Sequence, residues 1–403
     1  MLVAGASIAG PALAHWLRRR GAEVTVVERA AELRPGGQAV DARGVTREVI
    51  RRMGLDAAVR AARTETAGAY TVDVDGKVLE TFCADDDGGD GYIAEIEILR
   101  GDLSRVLYDD TRDGAEYIFG DRIAGLTQDA DGVDVAFAGG GRRRFDLVVG
   151  ADGLHSALRA MVFGPHERFV RHLGLVMAFY TVPNEFGLDR WLIDYQESGS
   201  GRSAGLRPIQ DATKAMAMFS FPASDLDVDY RDVAAQKRLL RERMAGLGWL
   251  TPRILAHLDH TPDFYLDQVA QVVMDRWSSG RVGLLGDAAF SSSPLSGQGT
   301  GLALVGAYLL AGELAASGWD PELGFAAFEE RMRSFVEANQ EIGRLHARSL
   351  GVPGPDAEPS PEPAEWPAEL IERALNGAEL PGYAGVPDSG TPAGPPVTSS
   401  AKP

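Results

Sequence analysis

The segment Gly5-Ala6-Ser7-Ile8-Ala9-Gly10 constrains the fold of this chain more than any other feature. It lies between an apolar tripeptide, Leu2-Val3-Ala4, and a helix-forming run that reaches Arg20 and is stopped by Gly21. Glycine at both ends of the turn lets the backbone reverse sharply and pass close to a neighbour. Ser7 is placed to cap the helix. The next stretch, Ala22 to Glu28, is β-branched and reads as a strand of a buried parallel sheet. Strand, turn, helix and strand make a βαβ unit. In such a unit a pyrophosphate sits at the helix N-terminus, and an acid ending the second strand, here Glu28, meets a ribose hydroxyl. Ser7 replaces the second glycine of that fingerprint. Gly-rich turns also arise for packing alone, so the turn draws its meaning from this context.

Two later segments repeat the plan. Asp146-Leu147-Val148-Val149-Gly150-Ala151-Asp152-Gly153 is a buried strand that delivers a carboxylate to a turn, with Ser156 and Arg159 following. Gly283-Leu284-Leu285-Gly286-Asp287 is another, and leads through Pro294-Leu295-Ser296-Gly297-Gln298-Gly299-Thr300-Gly301 into a long apolar helix. Each alone is compatible with an ordinary turn and helix cap. Three in this order point to a cofactor.

Composition narrows the field. With 403 residues the chain has room for two to three domains with full cores. A net charge of −18 argues against nucleic-acid binding, which needs a basic face. The single cysteine, Cys83, excludes an internal disulfide and fits a reducing, cytoplasmic setting. The most apolar stretch, Gly301 to Ala316, is shorter than the roughly 20 residues a bilayer requires and reads as a core helix, so no membrane partner is expected. No metal site is expected. His257 and His260 are not part of H-E-x-x-H, and the acidic run 85–91 lacks the ligand pattern of a calcium loop. No G-x-S-x-G elbow points to a hydrolase, and no acid–base pair stands out as catalytic.

Further along, Gly68 to Phe82 reads as a strand pair around Asp75-Gly76, and Asp134 to Val149 as a hairpin around Gly139-Gly140-Gly141. Strands are expected at Ala215 to Phe221 and Val269 to Met274, and helices at Val233 to Ala245 and from Gly299 to about Leu350. Trp191, Tyr195, Phe219, Phe221, Phe264 and Tyr265 are core residues by default, with an aromatic pocket as the alternative. Residues 351–403 hold 12 of the 22 prolines and read as a partly disordered tail, apart from a short helix at Pro367 to Asn376.

The three motifs make the chain similar to the FAD-dependent aromatic hydroxylases, single-component flavoprotein monooxygenases of the para-hydroxybenzoate hydroxylase type, over about residues 1–350. The resemblance implies an α/β fold: a Rossmann-like FAD-binding domain (1–65, 98–168 and 276–350, with the C-terminal helices) and an inserted mixed-sheet substrate domain (66–97 and 169–275). It implies non-covalent FAD, with Gly5, Ser7, Ile8, Ala9 and Gly10 at the pyrophosphate and Glu28-Arg29 at the adenosine ribose. Arg43, in GGQAVDARGVTREVIRRMGL, matches a pyrophosphate arginine, and Arg100, in ILRGDLSRVL, another FAD-side arginine. Asp152-Gly153 would stand between FAD and the nicotinamide nucleotide. Gly286-Asp287 would meet the ribityl chain, and Pro294, Gly297, Gln298, Gly299 and Thr300 the isoalloxazine ring. NAD(P)H, lacking a fingerprint of its own, would bind near Asp152 and Arg159. The implied reaction inserts oxygen from O₂ into an aromatic or polyketide-like molecule. Alternatives on the same scaffold are an oxidase, a dehydrogenase or cyclase, and a non-catalytic FAD-binding protein. Besides Ser7, two departures from the family pattern fall near the flavin: Phe290 in place of a frequent His, and Gly301 in place of Asn or Ser.

Overall fold

The computed structural model describes residues 1–34, 36–84, 90–91, 93–223, 232–261, 263–350 and 366–383. Most of the acidic run, at 85–89, and most of the Pro-rich tail lie outside these residues.

A six-stranded sheet forms the first layer, in the order Ser278–Ser279, Val282–Leu284, Val148–Gly150, Leu2–Ala4, Thr25–Glu28 and Glu116–Phe119. All pairs are parallel except the outermost one at Ser278–Ser279. The three central strands are each three residues long and fully buried, as their unbroken apolar sequences require. The expected strand from Ala22 forms only from Thr25, whose N–H donates to the Met1 carbonyl at 3.0 Å. The Asp134–Val149 hairpin also divides. Val133–Phe137 and Arg142–Phe145 pair in a small antiparallel sheet, whereas Val148–Gly150 leaves to join the parallel one.

The first helix runs Ala9–Arg19 and its N-cap is Ile8, with no side-chain cap. Ser7 therefore does not cap it; its Oγ accepts from Arg100 instead. Helix Gly299–Ala316 is buried on nearly all sides among helices Ala9–Arg19, Val45–Met53 and Pro321–Ser349. It is long and apolar enough to span a membrane, but its surroundings are the protein core.

The second layer is a seven-stranded mixed sheet. Its order is Tyr265–Val272, Val170–Pro183, Lys214–Pro222, Ser203–Pro208, Trp191–Gln196, Gly68–Val72 and Val78–Cys83. One face is closed: Tyr180, Ala217, Phe219 and Phe221, all at most 2% exposed, pack with Leu240, Met244 and Ile254 from helices Val233–Met244 and Thr251–Ala256. Tyr195, Phe219 and Phe221 are thus core residues and Phe264 packs against them, while Trp191 stacks on Tyr70 at 4.4 Å.

The C-terminal segment is more structured than its composition suggests. Helix Ala368–Asn376 lays Leu370 and Ala374, four residues apart on one face, onto Ala338, Ile342 and Leu345 of helix Pro321–Ser349. Asn339 Nδ2 donates to the Ala374 carbonyl at 3.0 Å. Arg52 then donates to the carbonyls of Leu380 and Pro381 at 3.1 and 3.3 Å, and the Tyr383 hydroxyl donates to Glu313 at 2.7 Å. Residues 366–383 are a docked strap, because a single amphipathic turn suffices to anchor them.

Candidate active site

The parallel strands end level. Ala4 stands opposite both Val27 and Gly150, and Gly150 opposite Leu284, so the loops that follow emerge side by side. Gly5 has φ +109°, and a Cβ there would lie 2.3 Å from the Ala151 carbonyl oxygen. A Cβ on Gly10 would lie 1.9 Å from the Gly5 oxygen. Gly286 approaches Ala9 and Ala303 closely enough that a Cβ would meet them at 3.1 and 3.7 Å. The three sequence motifs therefore meet at the carboxyl edge of one sheet, where open α/β folds place their ligands.

Around the first turn, Glu28 accepts from the Ala6 and Ala30 N–H groups, each at 2.9 Å, and so braces the loop on which a ribose would rest. Arg29 is exposed. Ser104 Oγ donates to the Ser7 carbonyl at 2.9 Å. Arg100 reaches the Ser7 hydroxyl at 3.1 Å beneath Gly37, where a Cβ would lie 2.7 Å from its Nε. Burial, with Arg34 nearby, lowers the pKa of Arg100 from its ordinary value. Ser7, Glu28, Arg34, Arg100 and Ser104 line a small cavity, cationic on one side and anionic on the other. Arg43 is engaged by its own surroundings: it pairs with Asp41 at 2.8 Å and donates to the carbonyls of Asp90, at 2.7 Å, and Gly91. This places it beside Gly297, where a Cβ would lie 4.0 Å from Asp41.

The second loop is braced by its own side chains. Asp152 caps helix Ala157–Val162, accepting from Ser156 Oγ at 2.5 Å and from the Ala157 and Leu158 N–H groups at 2.8 and 3.1 Å. Gly153 continues the turn with φ +80°. Arg159 is fully buried and donates to the Ala288 carbonyl at 2.8 Å and the Leu154 carbonyl at 2.6 Å. It ties the second motif loop to the third. His155 bonds Asp267 at 2.8 Å, joining the same loop to the mixed sheet. His166, beside Arg159, is pushed down to about 4 by burial, then by that guanidinium.

In the third loop, Asp287 opens to solvent at the base of a cleft. The protein surrounding it pushes its carboxyl up to about 6. A Cβ on Gly299 would lie 3.9 Å from Asp287 Oδ1, so the start of the long helix faces it. Pro294–Ser296 forms a short 3₁₀ turn ending at Gly297, φ +66°. Gln298 is 2% exposed, and among the described residues neither its Oε1 nor its Nε2 has a partner. Thr46 Oγ1, beside Gly301, is orphaned in the same way. Orphaned buried amides are rare enough to require an explanation. A cleft with an open carboxylate, unpaired helical N–H groups and a partnerless amide fits the polar edge of a flavin nucleotide.

The remaining two departures do not line this cleft. Phe290 is 1% exposed against Trp277 and Phe328, and Gly301 is held small by Thr46, 2.5 Å from where its Cβ would stand. The other wall holds Tyr265, exposed and so not the core residue expected by default, beside three residues that the sequence reading did not single out. Tyr265, Phe179, Met218 and Met177 project from the mixed sheet toward the cleft and are only partly covered. Their signal was the alternation in Leu175–Pro183 and Lys214–Pro222, which marks two faces without saying which is closed.

Comparison with known proteins agrees with this geometry. Residues 1–341 match the family model described as an FAD binding domain. The chain is 38% identical over 394 residues to a flavin-dependent monooxygenase of Legionella longbeachae, covering 95% of this chain and 98% of that protein. An uncharacterized protein of Mycobacterium tuberculosis is 48% identical over 384 residues, covering 95% and 99%. Among solved structures, the tetracycline destructase Tet(55) superposes with TM-score 0.82 at 38% identity, over 95% of this chain and 98% of that one. HpxO of Klebsiella pneumoniae, in complex with FAD and uric acid, superposes with TM-score 0.69 at 25% identity, over 86% and 88%. The chain thus belongs to the FAD-dependent monooxygenases of the aromatic hydroxylase family.

Proposed function

We propose that this monooxygenase draws electrons from NAD(P)H and inserts one oxygen atom from O₂ into a planar, multi-ring aromatic molecule. The observation that carries the substrate class is the half-open apolar wall of Tyr265, Phe179, Met218 and Met177 facing the Pro294–Thr300 loop. The similarity to tetracycline destructases, whose name gives a fused-ring substrate, supports it.

In this reading the flavin domain is built on the six-stranded sheet, the substrate wall is the mixed sheet, and the strap braces the first. Gly5, Ser7, Ile8, Ala9 and Gly10 carry the pyrophosphate, with Arg100 as its cation. Glu28 holds the outer ribose, Asp287 the ribityl hydroxyls, and Gly297 to Thr300 the ring edge. FAD, when bound, supplies hydride acceptance and oxygen activation. The chain's own part is placement. The N-terminus of helix Gly299–Ala316 offers its positive end to negative charge on the ring. The apolar wall excludes water and holds the substrate flat. Arg43 and Asp152-Gly153 frame the cleft rather than take part in chemistry.

The test is turnover under ¹⁸O₂ with tetracycline and a panel of polycyclic phenols. NAD(P)H oxidation should be slow without substrate and rise when one is added, and the product should gain one labelled oxygen. An unlabelled product formed without NAD(P)H consumption would establish an oxidase or ring-forming enzyme instead.

A further inference from the structure

The mixed sheet carries one row of residues straight across the face opposite its helices, where Ile93 covers Leu192 and Ala69 beside Met218. Tyr265 pairs with Phe179, Phe179 with Met218, Met218 with Gly205, and Gly205 with Asp194. Directly paired residues share a face, so this row crosses five strands and spans about 19 Å at the usual strand spacing. Its first end lies at the flavin cleft. Tyr265 is 42% exposed, feels the charges of Asp287 and Arg100, and sits 6.3 Å from the Phe179 ring. In the adjacent row Met177 packs with Leu295 of the Pro294–Thr300 loop, so that loop lies over the same face.

The middle of the row is apolar and kept low by Gly205. A Cβ there would lie 3.0 Å from both Met218 Cε and Asp194 Oδ1, so these two groups converge over the glycine on the cleft side. Asp194 is the first carboxylate of the row counted from the cleft; beyond it the row continues through Thr71 to the exposed Glu80 on the edge strand. Among the described residues the hydrogen bond of Asp194 is a long one, 3.3 Å from Gln196 Nε2. A cation on the same face, Arg207, pairs with Met216 in the flanking row and is committed to Glu97, which Thr64 and Thr66 also hold. Burial pushes the Asp194 carboxyl up to about 6, and among the described residues it has no ion-pair partner.

We infer that Asp194 is a specificity-determining residue that receives a cationic amine on the substrate, at the end of the ring system remote from the flavin. The apolar row carries the rings, and the carboxylate fixes which way round they lie. This rests on reading the cleft as the substrate site. A carboxylate in an apolar wall otherwise stands as an uncompensated desolvation cost, which a substrate ammonium group removes.

The experiment uses the full-length holoenzyme and two probes of one shape, aminomethylanthracene, a cation, and anthracene carboxylate, an anion. Binding is followed through perturbation of the visible flavin band. Asp194→Asn should retain full flavin content and bind the cation roughly tenfold or more weakly, the usual effect of losing a charged hydrogen bond. Its affinity for the anion should stay equal or rise. Gly205→Ala should weaken both probes, because its Cβ intrudes on the row. Equal affinity of wild type and Asp194→Asn for the cation, with both probes perturbing the flavin, overturns the role of Asp194 and leaves the substrate site standing. If neither probe perturbs the flavin of the wild type, the reading of the cleft falls, and this inference with it.

Discussion

The two sheets hold their chemistry in different places. In the six-stranded sheet the three central strands are three residues of buried apolar side chains, and the functional groups sit at the carboxyl ends of the strands and in the loops that follow. In the mixed sheet the loops matter little and the groups stand on one face of long strands such as Val170–Pro183. The first arrangement fixes a ligand by backbone approach, so it depends on glycines. The second fixes a ligand by surface shape, so it depends on which side chains are left uncovered.

That difference can be broken by mutation. Gly5→Val is the severest case. It puts a branched side chain at φ +109° with its Cβ 2.3 Å from the Ala151 oxygen, where only backbone is available to move. Complete loss of bound flavin in the purified protein is expected; a yellow Gly5→Val protein would mean that the first two loops need not touch. The mixed sheet should respond to position instead. Phe219→Ala, on the closed face at 2% exposure, should cost about 3–5 kcal/mol of stability. Phe179→Ala, one strand away on the open face, should cost about 1 kcal/mol and weaken substrate binding. Paired denaturant titrations separate the two, and equal costs would show that the open face is packed after all. Ending the chain after Leu350 removes the strap with its Leu370 and Ala374 contacts and should cost about 2–4 kcal/mol. Because the strap grips Arg52 and Glu313 on the flavin side, thermal release of flavin should fall to lower temperature.

The same contrast explains what could be read from the chain alone. Loops that approach by backbone write themselves as glycine patterns, and Gly5, Gly10 and Gly286 announced both the sheet and its edge. Capping and tying residues are ambiguous in the sequence because the signature of a ligand contact and of a helix cap is the same: Asp152 and Arg159 have the residue types of a nucleotide site and also make the contacts of a scaffold. The open wall was illegible for another reason. Alternation in Ala215–Phe221 marks Phe219 and Met218 as facing opposite ways, but only the helices packed on one side decide which of them is core. The helix of the strap was legible at Pro367 to Asn376, but the prolines on either side of it concealed that it docks on the body.

The strand order of the first sheet also governs when the flavin site comes into being. Leu2–Ala4 pairs with Val148–Gly150, which in turn pairs with Val282–Leu284, so the first strand made waits for one almost 280 residues later. At translation rates of about 5–20 residues per second, the Gly5–Gly10 turn is exposed for roughly 15–60 s before its third partner loop leaves the ribosome. The mixed sheet needs nothing beyond Val272 and can close first. Flavin capture is therefore a late event of biosynthesis. Until then Leu2–Ala4 has Thr25–Glu28 and Val148–Gly150 beside it but the site lacks its third loop, a stage that leaves an unpaired sheet edge exposed.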